Sequence, residues 1–259
     1  MYSMQKIIVK VGTSTLTQGG QKLSRRFMLG LVEQFICLMN QGKQVVIVSS
    51  GAVAAGREVL DDQASKPLCA SIGQVKLMQT WAELFGLFDL YVGQVLLTRD
   101  DFCESDRVLR IRDTVMGLLH HGIVPVVNEN DTVATENSRV GDNDNLAAHV
   151  AGVIEADTVI ILTDQEGLYT ADPRIQPDAQ LIPTVQHIDE AIFALARGSS
   201  SAQGTGGMTT KIEAAEIAAR SGTRTIIASS ARPNVLLDII EGRPVGTLFL
   251  ESQSKIIEE

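Results

Sequence analysis

The stretch Lys6-Ile7-Ile8-Val9-Lys10-Val11-Gly12-Thr13-Ser14 stands near the start of the chain. Its apolar residues run almost without interruption rather than alternating with polar ones, the pattern of a strand covered on both faces. The run then breaks into a glycine and two hydroxyl residues, with Lys10 just before them. A turn of this composition suits an anion, because it offers backbone N–H groups, hydroxyls and one point charge. Taken alone the feature is weak, because a lysine at a strand end is more often a solvated side chain.

Working outward, apolar runs of the same kind stand at 45–49 (VVIVS), 91–97, 124–128 (VPVVN), 158–163 (TVIILT), 224–229 (RTIIAS) and 246–250 (GTLFL). Helical patterns separate them at 24–40, with Gly42 as a stop, and at 51–60, 70–86, 107–121, 143–156 and 208–221. In 70–86, Leu77, Trp81, Leu84 and Phe85 share one face. Strands alternating with helices predict an α/β fold, a three-layer α/β/α sandwich around a mostly parallel central sheet. No repeat and no Pro-, Gly- or Ser-rich linker divides 1–259, so a single domain is expected. Polar stretches at 129–142 and 165–182 are long for loops of such a domain, which marks them as functional or as small hairpins. In open α/β sheets ligands bind beyond the carboxyl ends of the strands, so chemistry is expected in the residues just after each one.

The net charge of −9 argues against a nucleic-acid partner, which needs a basic face. It leaves room for an acidic metabolite, since a local lysine cluster opposes the global sign. Three cysteines, Cys37, Cys69 and Cys103, are odd in number and widely spaced, as in a protein that keeps its thiols reduced. No His or Cys spacing matches a zinc site. The N-terminus lacks a signal-peptide layout, and no apolar run approaches the roughly 20 residues that span a bilayer. A cytoplasmic location without membrane contact is therefore expected.

Three further segments carry candidate chemistry. Ser49-Ser50-Gly51-Ala52-Val53-Ala54-Ala55-Gly56 runs from a strand straight into a helix, where unpaired N–H groups can hold an anion or small residues can simply pack closely. Gly204-Thr205-Gly206-Gly207-Met208-Thr209-Thr210-Lys211 opens a strong helix with glycines, hydroxyls and a lysine, a composition suited to polyphosphate. It is not a Walker A loop, and no Gly-x-Gly-x-x-Gly follows the first strand, which disfavours a dinucleotide-binding enzyme. Asn128-Glu129-Asn130-Asp131 and Gly141-Asp142-Asn143-Asp144-Asn145 are dense in carboxylates and amides, able to bind an ammonium or orient a lysine, or to serve as ordinary turns and caps.

Together with Leu162-Thr163-Asp164 and Gly167-Leu168-Tyr169-Thr170-Ala171-Asp172-Pro173, these segments resemble the amino acid kinase family over nearly the whole chain. The two Asn/Asp clusters resemble the branch that phosphorylates the γ-carboxylate of L-glutamate, the first step of proline biosynthesis. The resemblance implies ATP and Mg²⁺ as cofactors and L-glutamate as acceptor. By it, Lys10 and Lys211 flank the transferring phosphoryl group and Asp144 holds them. Ser50, Gly51, Asp131 and Asn143 bind the acceptor. Lys10, Gly12, Thr163, Asp164, Thr205, Gly206, Gly207, Met208, Thr209, Thr210 and Lys211 surround the nucleotide, and no direct protein ligand to a metal is assigned. The resemblance also implies a homo-oligomer, a dimer or tetramer, with proline as feedback inhibitor and a glutamyl phosphate reductase as a partner. Many members of that branch carry a C-terminal PUA domain. This chain ends at Glu259, soon after the last predicted strand, so that appendage is not expected. Rival readings are a family member with another carboxylate or phosphate acceptor and a catalytically silent nucleotide-binding sensor.

Overall fold

The computed structural model describes residues 6–60, 63–135, 140, 142–197 and 207–251. Strand β1 (Lys6–Val11) leads through helix α1 (Thr13–Thr17) to α2 (Arg25–Asn40), β2 (Gln44–Ser49), α3 (Ala52–Arg57) and α4 (Lys66–Gly86). Then come β3 (Val92–Leu97), a 3₁₀ turn (Arg99–Phe102), α5 (Ser105–His120), β4 (Val124–Glu129), α6 (Asn143–Ile154) and β5 (Thr158–Thr163). The chain continues through β6 (Thr184–Val185), α7 (Glu190–Arg197), α8 (Met208–Arg220), β7 (Arg224–Ser229), α9 (Val235–Ile240) and β8 (Thr247–Phe249).

The eight strands form one sheet in the order β3-β4-β2-β1-β5-β7-β8-β6. It is parallel from β3 to β7, and β8 joins β7 antiparallel. Central β1 aligns Val11 with Ser49 of β2 and with Leu162 of β5. Parallel pairing in this register brings the carboxyl ends of β1, β2, β4 and β5 to one edge, where the candidate residues lie.

Successive side chains on a strand point to opposite faces. Ile7, Val9 and Val11 of β1 pack into the core shared with α2, α4 and α9. Ile8 packs into the core shared with α5, α6 and α8, and Lys10 has the same parity. On the first face Phe35, Trp81 and Phe85 are fully buried, with ring centroids 6.2 to 6.5 Å apart. Burying each such side chain contributes roughly 2 kcal/mol. The seam between α3 and α4 is closer still. A Cβ added at Gly73 would overlap the Ala52 carbonyl oxygen, and one at Gly56 the Cys69 carbonyl. Only glycine fits there, so the start of α3 is fastened backbone to backbone.

The mostly parallel sandwich agrees with the sequence pattern, and the boundaries differ in explicable ways. The helix predicted at 70–86 begins at Lys66, because Pro67 is tolerated in a first turn. The helix predicted at 51–60 spans only Ala52–Arg57. The strand predicted at 246–250 shortens to Thr247–Phe249, since Gly246 adopts φ +72°, outside strand conformation. Helices α1, α7 and α9 and the two-residue β6 are not among the predicted elements. They are short or irregular, where periodicity gives little signal. The stretch at 165–182 contains a small hairpin, with Tyr169 bridged to Leu181 and the Thr170 N–H donating to the Gln180 carbonyl at 2.9 Å. No helix among the described residues is long and apolar enough to cross a membrane.

Candidate active site

Helix α6 organises the site. Its N-cap Asp142 accepts from the N–H groups of Asp144 (2.7 Å) and Asn145 (3.1 Å), which satisfies two otherwise orphan donors. The first two helical residues, Asn143 and Asp144, then serve two different neighbourhoods.

Asp144 is completely buried, and two lysines meet it. Lys10, reaching from the end of β1, forms a short ion pair with Oδ1 at 2.6 Å, outside hydrogen-bond geometry. Lys211, from the first turn of α8, donates to Oδ2 at 3.2 Å. The Thr210 hydroxyl lies 3.3 Å from the same oxygen and 2.9 Å from the Gly207 carbonyl. Burial pushes the Asp144 carboxyl upward, but the two ammonium groups outweigh it and hold the pKa below the usual carboxylate value. The trio leaves one positive charge in excess in a largely buried region. An anion with delocalised negative charge matches that excess.

Asn143 faces uncharged partners. Its Nδ2 donates to Ser50 Oγ at 2.8 Å and to Asn128 Oδ1 at 2.9 Å. Its Oδ1 is buried and has no hydrogen-bond partner among the described residues. Ser50 follows β2 and precedes Gly51, the N-cap of α3, whose φ of +104° favours glycine. A Cβ at Gly51 would also crowd Leu16 at 3.1 Å. Asp131 lies half-buried in the turn after β4. Glu129 ties down the return of the same loop by accepting from the Val140 N–H at 2.7 Å.

Of the remaining candidates, Gly12, Thr163 and Asp164 lie at strand ends, and Gly207, Met208 and Thr209 open α8. A Cβ at Gly12 would lie 3.5 Å from the Lys10 ammonium, an ordinary contact. Gly207 is the N-cap of α8 and supplies no side-chain cap, so the first N–H groups of that helix have no side-chain cap among the described residues. Met208 is buried there, while Thr209 is half-buried. Thr163 ends β5 and the exposed Asp164 follows it, the Thr163 hydroxyl donating to the Asp164 carboxylate at 3.0 Å. Thr205 and Gly206 lie outside the described residues. No group of three His, Cys, Asp or Glu among the described residues could hold a metal ion.

Asn128 falls within a cluster that the sequence marks as candidate chemistry but has no assigned role there, and Gln74 is not among the sequence candidates. Asn128 is buried at the end of β4 and bonds Asn143, and Gln74 in turn accepts from Asn128 Nδ2 at 2.9 Å. The available signal was a polar residue in a buried stripe: Gln74 falls in line with Ala70, Leu77 and Trp81 on α4.

A sheet of this order, with a buried lysine–aspartate–lysine trio beside an uncapped helix start, defines a phosphotransferase class. The amino acid kinase family model matches residues 5–229, and the chain belongs to that family. Among curated relatives, a glutamate 5-kinase from Photobacterium profundum is 52% identical over 252 residues, covering 95% of this chain and 67% of that protein. One from Haemophilus influenzae is 49% identical over 258 residues, covering 97% of this chain and 70% of that protein. Among solved structures, carbamate kinase from Giardia lamblia bound to AMP-PNP superposes with a TM-score of 0.70 at 14% identity, covering 97% of this chain and all of that one. Aspartate kinase from Synechocystis gives 0.63 at 17% identity, covering 96% and 40% respectively. These two likenesses bear on the fold.

Proposed function

We propose that this chain transfers the terminal phosphoryl group of ATP to the γ-carboxylate of L-glutamate. The observation that carries the reading is the pair of neighbourhoods at the start of α6: buried cations on one side, uncharged hydrogen-bonding groups on the other.

The acceptor needs no general base, because a γ-carboxylate with a pKa near ~4.3 is already ionised at neutral pH. What remains is positioning, and positive charge over the oxygens of the transferred group. Lys10 and Lys211 supply that charge, and Asp144 keeps the two ammonium groups apart and aimed. The N–H groups at the start of α8, which no side chain among the described residues caps, suit the phosphates of ATP. With no protein cluster among the described residues to hold it, Mg²⁺ would be carried by the phosphates of ATP and by water, and would supply charge neutralisation there. On the other side, Ser50 and Asn143 offer a hydroxyl and an amide oxygen, and Asp131 a carboxylate. That set suits a zwitterionic amino acid better than a phosphorylated acceptor, which calls for a basic cluster.

The test is incubation of the protein with ATP, Mg²⁺ and hydroxylamine, with L-glutamate, L-aspartate or N-acetyl-L-glutamate as acceptor. Hydroxamate from glutamate alone is expected. Hydroxamate from another acceptor overturns the assignment of substrate, and none from any acceptor overturns the reading of acyl-phosphate chemistry.

A further inference from the structure

We propose that Gln74 is a positioning residue for acceptor recognition, acting through Asn128 and held in turn by Gln94; this rests on the assignment of Ser50 and Asn143 to the acceptor. The argument begins at one main-chain group. The Glu129 N–H can only donate, and it donates to Asn128 Oδ1 at 2.9 Å. The Asn128 amide is therefore fixed end for end, and its Nδ2 points to Gln74 Oε1 at 2.9 Å. Gln74 must then turn its own Nε2 away, where it meets Gln94 Oε1 at 3.0 Å.

The polarity set this way propagates toward the site. Asn128 Oδ1 also receives Asn143 Nδ2, so Asn143 is fixed with its Oδ1 facing elsewhere, buried and without a partner among the described residues. Ser50 Oγ accepts from the same Nδ2, which leaves its proton to donate. The result is one free acceptor beside one free donor, the complement of an ammonium beside a carboxylate. A flipped Asn128 would present a donor to Asn143 and reverse that pair. The Glu129 N–H opposes the flip, and Gln74, by accepting from Nδ2, anchors the other end of the amide. Gln74 is 9% exposed in an otherwise apolar stripe of α4, where an amide without partners is costly. Gln94, exposed on edge strand β3 and on the same sheet face, closes the chain.

The experiment compares wild type with Gln74→Met, which keeps the shape, with Gln94→Met, and with Gln94→Glu, which keeps an acceptor for Gln74. Initial rates are measured against glutamate and against ATP, with thermal melts alongside. Gln74→Met is expected to raise the KM for glutamate about fivefold to tenfold, the weight of one lost orienting hydrogen bond, with kcat and the KM for ATP within about twofold. Gln94→Met should give a smaller rise, and Gln94→Glu should lie nearer wild type than Gln94→Met. An unchanged KM for glutamate, a matching rise for ATP, or no advantage of Gln94→Glu over Gln94→Met overturns the proposal. If Gln74→Met does not fold, the exposed Gln94 pair decides. Wild type without activity on glutamate refutes the substrate assignment and this proposal with it; a flat KM in an active enzyme refutes the positioning role alone.

Discussion

On one side of the α6 N-terminus, Asp144 gathers Lys10 and Lys211 through ion pairs of 2.6 and 3.2 Å. On the other side, Asn143 touches Ser50 and Asn128 through neutral hydrogen bonds of 2.8 and 2.9 Å. The charged side is buried, and its strength comes from low dielectric. Its partners tolerate rotation, because an ammonium is a compact charge with three equivalent donors. The neutral side works through direction, since an amide turned end for end offers the opposite group. Loss of charge should therefore cost rate, and loss of direction should cost selectivity.

The sharpest way to break this contrast is Lys10→Ala or Lys211→Ala. Each should lower kcat about a thousandfold while leaving the KM for glutamate nearly unchanged, the range expected when a preorganised charge is removed from a transition state. Steady-state kinetics on the folded variants check this, and a loss confined to KM would merge the two sides. Next is Asp144→Asn, which leaves two buried ammonium groups without their counter-charge. A loss of about 3 kcal/mol in urea denaturation is expected. The sign of its pH dependence follows from the lowered pKa of Asp144. The contribution is fully present above the unfolded value of about 3.9 and is lost as pH falls through the lower folded value. The stability gap between wild type and Asp144→Asn should thus stay level from pH 8 to pH 5, and narrow only below about pH 4. A gap that closes near neutrality would contradict the clasped carboxylate.

Smaller effects sharpen the neutral side. Asp131→Ala should raise the KM for glutamate about tenfold and that for ATP far less, as a charge-assisted hydrogen bond to an ammonium implies. Equal rises would remove Asp131 from the acceptor end. Ser50→Ala should raise the same KM only about threefold to fivefold, the scale of one neutral hydrogen bond. A larger loss accompanied by a lower melting temperature would make Ser50 a structural group instead.

The charged side was legible in the sequence because strand ends and helix starts are local features. Lys10 follows an apolar run, and Lys211 follows glycines and threonines at the start of a helix. The partnership of Asp144 with those lysines came from family resemblance, since no local pattern joins residues so far apart in the chain. The neutral network was less visible. Asn128 and Gln74 look like a turn residue and an interruption of an apolar helix face until β4 and α4 are packed side by side. The parallel sheet was readable from its uninterrupted strands. Helix α7 was not, being eight residues long with a single buried one, Ala196.

Asn143 and Asp144 are consecutive residues. Neighbours on an α-helix diverge by about 100°, so they cannot serve the same partner. On the proposed assignment, part of the spacing between the charged and the neutral side is thereby written into a single peptide unit. Adjusting the reach to a longer or shorter acceptor would require rebuilding the far wall, around Ser50 and Asp131, while the register at α6 stays untouched.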